Sequence, residues 1–338
     1  MLKFDTLKND YPSRRSVIYG RKGMVCTSQP LAAQAGLDII KQGGNAIDAA
    51  IATAACMTVL EPAVTYAREG YPVSPVISKL WNNAYKEFSG TLKDECFKPW
   101  FDTFARDGHV PQPGEIWKSE AHAKTLEKIA KTHAKAFYQG ELGDQIDAYS
   151  RKTGGYLRKS DLENYWCEWV KPIHVNYRGY DICEIPPNGD GIIALMALNI
   201  LKGYSFTDRS CVDTVHKQLE AMKLAFADGN RYVADPEYMR APVETLLSDE
   251  YAAERRSLIG EMAKDPEPGD PFRGGTIYLC TADGEGNMVS YIQSNYMGFG
   301  SGIVIPGTGI ALQNRGANFT LDEATGRPSY TRYNPDSP

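Results

Sequence analysis

Apolar positions recur at helical spacing through most of residues 30–262, and the period changes to two after residue 275. A short strand is expected over residues 23–28. A helix follows over 30–42, with Pro30 in its first turn and Gly43-Gly44 stopping it. Asn45 can cap a second, alanine-rich helix through Ala46–Leu60, ended by Glu61-Pro62, and the alanines would let the two pack closely. Residues 63–90 read as a short helix, a turn and another helix. Residues 91–118, with Pro99, Pro111 and Pro113, read as irregular. Lys118–Ile146 is helical with a break at Gly140, and Ser160-Asp161 starts a short helix. Residues 171–185 alternate like an antiparallel pair around Tyr177-Arg178-Gly179. An apolar helix is expected at Ile192–Leu201. An amphipathic one covers Asp213–Ala227, with Val215, Leu219, Met222 and Phe226 near one face, and residues 244–262 form a charged helix.

Residues 263–275 have linker composition, with Pro266, Pro268, Pro271, Gly269, Gly274 and Gly275. Beyond them Thr276–Ala282 reads as a strand, Asp283–Asn287 as a turn and Met288–Ser294 as the return strand. A glycine-rich stretch, 298–309, leads to a short strand at Ile310–Asn314, and 322–338 is expected to be poorly ordered. Helices before and strands after give an α+β class. Thr276 stands where linker meets strand. If the chain cut itself between Gly275 and Thr276, the threonine would carry its own general base, the freed α-amine, beside its hydroxyl. A β-branched residue opening a strand is also ordinary strand composition.

A length of 338 residues allows one large or two ordinary domains, and a net charge of −5 argues against nucleic acid or an anionic membrane surface as partner. No run of apolar residues has the length of a membrane span, and the first residues lack a signal-peptide core, which points to the cytoplasm. Seven scattered cysteines without a C-x-x-C, and five scattered histidines, indicate neither a disulfide framework nor a metal site, and no cofactor is expected. Gly298-Phe299-Gly300-Ser301-Gly302 lacks the lysine a phosphate loop needs.

Several segments, in order along nearly the whole chain, carry a resemblance. They are Met24-Val-Cys-Thr-Ser-Gln-Pro-Leu-Ala-Ala, Gly43-Gly-Asn-Ala-Ile-Asp-Ala-Ala, Ala67-Arg-Glu-Gly-Tyr-Pro-Val-Ser-Pro and Ala136-Phe-Tyr-Gln-Gly-Glu. They continue with Pro186-Pro-Asn-Gly-Asp-Gly, Glu220-Ala-Met-Lys-Leu-Ala-Phe-Ala-Asp and Phe299-Gly-Ser-Gly-Ile-Val-Ile-Pro-Gly-Thr-Gly. The set resembles the γ-glutamyltransferase family of N-terminal-nucleophile hydrolases. The resemblance implies a four-layer αββα sandwich and a precursor that cuts itself before a threonine. It makes 1–275 the large-subunit-like region and 276–338 the small-subunit-like one. It makes Thr276 the nucleophile toward a γ-glutamyl or similar amide, and Ser294 a hydroxyl that hydrogen-bonds it. The large and small pieces would pair, and a homo-oligomer is conceivable.

The chain departs from the family's pattern in three places. Glu61-Pro62 runs at once into Ala63-Val-Thr-Tyr-Ala-Arg, where family members carry a longer stretch with an arginine that clamps the donor's carboxylate. Arg68 is a substitute in principle, at what is otherwise an ordinary surface helix position. Asn318 stands where transferases have an aspartate, Tyr296 replaces an amide side chain, and Arg315 adds a positive charge that would attract a carboxylate. A glutaryl-type or other acidic acyl donor, as in acylases, thereby becomes as plausible as γ-glutamyl. Finally, the sequence stops before the family's Gly-Gly oxyanion donors, each worth about 10²–10³ in rate. The expectation is an internally deleted, C-terminally shortened member with an incomplete sandwich. Two functions stay open: an N-terminal-threonine amidohydrolase or acyltransferase, and an inactive, uncleaved homologue with a structural or partner-binding role.

Overall fold

The computed structural model describes residues 18–27, 30–58, 62–206, 208, 211–239, 241–263 and 276–318. In chain order its elements are β1 (Gly23–Cys26), α1 (Pro30–Lys41), α2 (Ala46–Thr58), α3 (Pro62–Glu69), β2 (Tyr71–Pro72), α4 (Pro75–Thr91), α5 (Lys98–Phe104), β3 (Ile116–Trp117) and α6 (Glu120–Lys131). There follow α7 (Lys135–Tyr138), α8 (Glu141–Lys152), α9 (Lys159–Glu163), β4 (Ile173–Tyr177), β5 (Tyr180–Glu184), α10 (Gly191–Leu201), α11 (Val212–Tyr232), α12 (Val243–Leu246), α13 (Asp249–Ser257), β6 (Thr276–Asp283) and β7 (Met288–Ser294). The described residues fall into two compact units, 18–166 with 276–315, and 167–263 with 316–318.

In the first unit a three-stranded antiparallel sheet runs in the order β1-β6-β7. The period-two pattern of β6 sends Leu279 and Thr281 to one face, where α2 lies. Leu279 is fully buried against Ala50 and Ala54 of α2, with Val289 and Tyr291 beside it. Thr281 is buried and its hydroxyl donates to the Ala46 carbonyl at 2.6 Å. The Ala46 N–H donates to Asp283 Oδ2 at 3.0 Å, so the start of α2 is tied to the end of β6. Asn45 caps α2 as expected, its Oδ1 accepting from the Ile47 and Asp48 N–H groups at 2.8 and 3.0 Å. The small residues do let α1 and α2 meet closely: a Cβ on Gly36 would lie 2.1 Å from Thr53 Oγ1. On the other sheet face Tyr278, Met288 and Ile292 are exposed.

A second core in this unit is aromatic. Trp81, Trp100 and Phe104 are buried, with Trp117 and Phe299 packed against them. The expectation of irregular structure over 91–118 therefore fails in part. Pro99 sits in the first turn of α5, where its missing N–H costs nothing, and β3 pairs with β2. The helical run predicted from Lys118 also breaks earlier than Gly140, at His133 and Ala134, whose φ angles are positive. The strand expected at Ile310–Asn314 reduces to one bridge, Val304↔Ala311, flanked by the bonds Leu312 N–H to Ile303 O and Ile305 N–H to Ile310 O, both 2.9 Å. Gly300, at φ +62°, makes this turn back possible, since a Cβ there would lie 2.2 Å from the Leu312 carbonyl oxygen.

In the second unit β4 and β5 form the expected hairpin. Arg178 and Gly179 both have positive φ, the geometry a two-residue turn needs to match strand twist. α10 is buried almost all round. α11 is the amphipathic helix expected; its buried stripe includes Ala221, Ala225 and Gly229, while the face with Val215, Leu219, Met222 and Phe226 is exposed. The reason is close approach: a Cβ on Gly229 would lie 2.5 Å from Ile193 Cδ1, so only small residues fit against α10. The helix expected over 244–262 is two helices, because Ser248 caps the second, its Oγ accepting from the Tyr251 N–H at 3.1 Å. Buried Asp228 and half-buried Arg255 lie 2.9 Å apart; burial raises the Asp228 carboxyl above its ordinary value, opposed by the Arg255 charge.

Candidate active site

Register places the candidate residues. The turn after β6 is held by Asp283, whose Oδ1 accepts from the Glu285 and Asn287 N–H groups at 3.0 Å and whose Oδ2 accepts from Asn287 Nδ2 at 2.9 Å. The Asn287 amide and the Ala46 N–H hold this carboxyl below the usual carboxylate range. With the turn fixed, Ala282 pairs with Met288, and the ladder runs on without a bulge to Thr276↔Ser294. Thr276 thus opens β6 directly across from the last residue of β7. Opposed residues of such a pair have α-carbons about 4.5–5.5 Å apart. The side chain of Thr276, and Gly275 with the linker before it, lie outside the described residues.

Beyond Ser294 the chain turns sharply. The Tyr296 N–H donates to Ser294 Oγ at 2.8 Å, and Tyr296 has φ +74°, a conformation that costs a non-glycine residue about 1–2 kcal/mol. Two further bonds hold it: the Asn314 N–H donates to the Asn295 carbonyl at 3.1 Å, and the Met297 N–H donates to Asn314 Oδ1 at 3.0 Å. They bring the segment after the glycine-rich turn back against the end of β7. Arg315 follows, exposed, with its guanidinium 5.6 Å from the centroid of the Tyr296 ring and its N–H donating to Gln313 Oε1. Asn318 ends the short helical turn Arg315–Asn318, and its side chain is outside the described ones.

The structure therefore gathers the start of β6, Ser294, Tyr296 and Arg315 at one end of the sheet. Arg68 is occupied elsewhere, 3.5 Å from Glu120 and 3.1 Å from Glu127, and the Glu127 carboxylate raises its pKa further. It is a neutralised surface charge, as its helix position suggested. Asn295 and Asn314 were not legible as site residues, for a backbone stitch leaves no mark in a hydrophobic pattern. Behind the glycine-rich segment, His122 Nδ1 lies 2.7 Å from Ser119 Oγ, and the ring packs against Phe104 and Trp117. Burial lowers its pKa to about 4, opposed by a hydrogen bond to the Gly309 backbone. Among the described residues no three His, Cys, Asp or Glu side chains are grouped to hold a metal ion, and no helix is long and apolar enough to cross a membrane.

The family model described as Gamma-glutamyltranspeptidase matches residues 32–63 and 57–337. The chain belongs to the gamma-glutamyltranspeptidase family. The match comes as two stretches that overlap at 57–63, where Glu61-Pro62 runs directly into Ala63. The glutathione hydrolase-like YwrD proenzyme of Bacillus subtilis (strain 168) is 31% identical over 91% of this chain and 73% of its own length. That alignment spans 386 positions, more than the 338 residues here, so the relative carries stretches with no counterpart in this chain. The acylase ACY 1 proenzyme of Pseudomonas sp. (strain SE83) is 30% identical over 92% of this chain and 72% of its own length. The crystal structure of cephalosporin acylase from Bacillus halodurans superposes with a TM-score of 0.87 at 48% identity, covering 95% of this chain and 74% of that one. The fold is thus the N-terminal-nucleophile hydrolase fold of this family, over about three-quarters of the solved relative's length, and the chain is a γ-glutamyltransferase-like amidohydrolase in its lineage.

Proposed function

We propose that the chain cuts itself between Gly275 and Thr276, and that the freed Thr276 then hydrolyses or transfers the acyl group of a small acidic amide. The observation that carries this reading is the ladder pair Thr276↔Ser294, which sets the first residue of the central strand beside a hydroxyl. In the reaction the Thr276 α-amine takes the hydroxyl proton as the oxygen attacks the amide carbonyl, then passes it to the departing amine. The acyl ester left on Thr276 is released to water or to an acceptor amine. Ser294, itself fixed by the Tyr296 N–H, is assigned to orient the nucleophile. Arg315, Tyr296 and Asn318 are assigned to the acyl group, with Arg315 as the anion partner. An exposed guanidinium stacked on a tyrosine suits a carboxylate better than an ammonium, which supports a glutaryl- or γ-glutamyl-type acid.

The regions 1–275 and 276–338 would be the two products. They stay joined without the peptide bond because β6 is central: β1 is paired on one side of it and α2 packed on one face. Intact mass under denaturing conditions tests the proposal. Two species, one ending at Gly275 and one starting at Thr276, support it; one full-length species from folded protein overturns it. The split of the family match into two stretches that meet at 57–63, where Glu61-Pro62 runs directly into Ala63, favours a second reading, an uncleaved homologue without turnover, and the same measurement separates the two. A cytoplasmic location and assembly into a homo-oligomer remain part of the proposal, the latter read by light scattering.

A further inference from the structure

Two of the seven cysteines face each other across the strands on either side of the proposed cut. Cys26 ends β1, and Cys280 lies in β6; they are direct partners in the antiparallel register. Directly opposed α-carbons, about 4.5–5.5 Å apart, fall inside the roughly 4.4–6.8 Å that a disulfide spans. Burial together with the neighbouring Cys26 thiol pushes the Cys280 thiol up. Both sulfurs are unoxidised, with Cys26 exposed and Cys280 half-buried, so a small reagent reaches the outer one first.

We propose that Cys26 and Cys280 form a reversible disulfide on exposure to a low-molecular-weight disulfide, covalently clamping β1 to the strand that Thr276 opens. The Cys26 thiolate attacks one sulfur of the small disulfide and expels the other as a thiol. Cys280 then loses its proton, attacks the Cys26 sulfur and expels the second small thiol. The two protein thiols are oxidised by two electrons and one small disulfide is reduced to two thiols. The site lies on the sheet and needs no change of register. That the bond joins two separate chains, rather than two points of one, rests on the proposed cleavage. There it would convert a subunit pair held by a β-ladder into one covalent molecule.

The experiment treats the folded protein with glutathione disulfide, blocks remaining thiols with N-ethylmaleimide and maps peptides without reduction. The expected result is a protein lighter by two hydrogens and a peptide joining Cys26 to Cys280, absent in Cys26→Ser and restored to separate peptides by dithiothreitol. Should Cys280→Ser perturb folding, Cys26→Ser, at the exposed position, carries the test alone. Glutathione adducts without the cross-link, or a cross-link to another cysteine, overturn the proposal. Cleavage is scored separately, by mass after reduction: the cross-linked peptide appears whether or not the chain is cut. In cut protein the two pieces run as one band without reductant, and as two with it.

Discussion

Arg315→Gln tests the assignment of the acyl pocket. The guanidinium is exposed and held over the Tyr296 ring at 5.6 Å, while Tyr296 is pinned to Ser294 and Asn314 is bonded to Asn295 and Met297. A fully exposed ion pair contributes only about 0.2–1 kcal/mol. A charge-assisted hydrogen bond sheltered by bound substrate contributes about 1.5–3 kcal/mol. Arg315 lies between these limits, exposed but covered on one side by Tyr296, so a loss of about 1–2 kcal/mol is expected. That is roughly a 5- to 30-fold drop in kcat/KM for a glutaryl amide. The assay compares glutaryl, γ-glutamyl and uncharged butyryl anilides at two salt concentrations. The drop should appear for the acidic donors, leave the butyryl compound unchanged and shrink at high salt. Arg315→Lys, which keeps charge but loses the planar stack, should fall between. An equal loss for acidic and neutral donors would show that Arg315 only braces the loop, and would remove it from the substrate assignment.

Thr276→Ala should leave a single full-length species by intact mass and no amide turnover; turnover surviving the change would remove Thr276 as nucleophile. Leu279→Ala should lower stability by about 3–4 kcal/mol in urea titration, because the fully buried side chain faces Ala50 and Ala54, too short to fill the gap; a loss under about 1 kcal/mol would contradict that packing. His122, with a folded-state pKa of about 4 against about 6.5 unfolded, takes up its proton more readily in the unfolded chain. Stability should therefore be full above about pH 6.5 and fall as pH drops toward 4, by roughly 2–3 kcal/mol in all, allowing for the ring's partial exposure. Urea midpoints measured across that window check it, and His122→Gln should flatten the slope.

The segment from 276 to 294 was legible almost to the residue, because alternation and a five-residue polar turn together fix a hairpin's register. Ser294 opposite Thr276 follows from that register. The α1–α2 pair was legible from its alanines, and α10 from its unbroken apolar run. Three features were not. The proline in α5 reads as a breaker in sequence, yet in the first turn of a helix it breaks nothing. The two-residue strands β2 and β3 are too short to show a period. On α11 the large apolar residues show one face of the helix, but not that close packing against Ile193 selects the small ones for the core. The site loop was legible in composition only: Tyr296 and Arg315 are far from each other in sequence, and the backbone bond from Asn314 to Asn295 that joins them has no periodic signature.

Self-cleavage and amide turnover make different demands on this architecture. Cleavage is intramolecular: it needs the bond before Thr276 held at the end of the β6 ladder, beside Ser294. The Asp283 turn, the seven-pair ladder and Leu279 beneath it would hold it there. Turnover needs in addition a walled site, so that a carboxylate meeting Arg315 is sheltered from water. The open sheet face bearing Tyr278, Met288 and Ile292 bears on that second requirement. In a four-layer sandwich such a face is covered by a second sheet, and the alignment with the Bacillus subtilis relative contains stretches that this chain lacks. A sheet face without a cover weakens shelter more than register, since register is set within the hairpin. Cleaved protein with weak, salt-sensitive hydrolysis is therefore the expected phenotype. Efficient turnover by an uncleaved chain would contradict both steps of the argument at once.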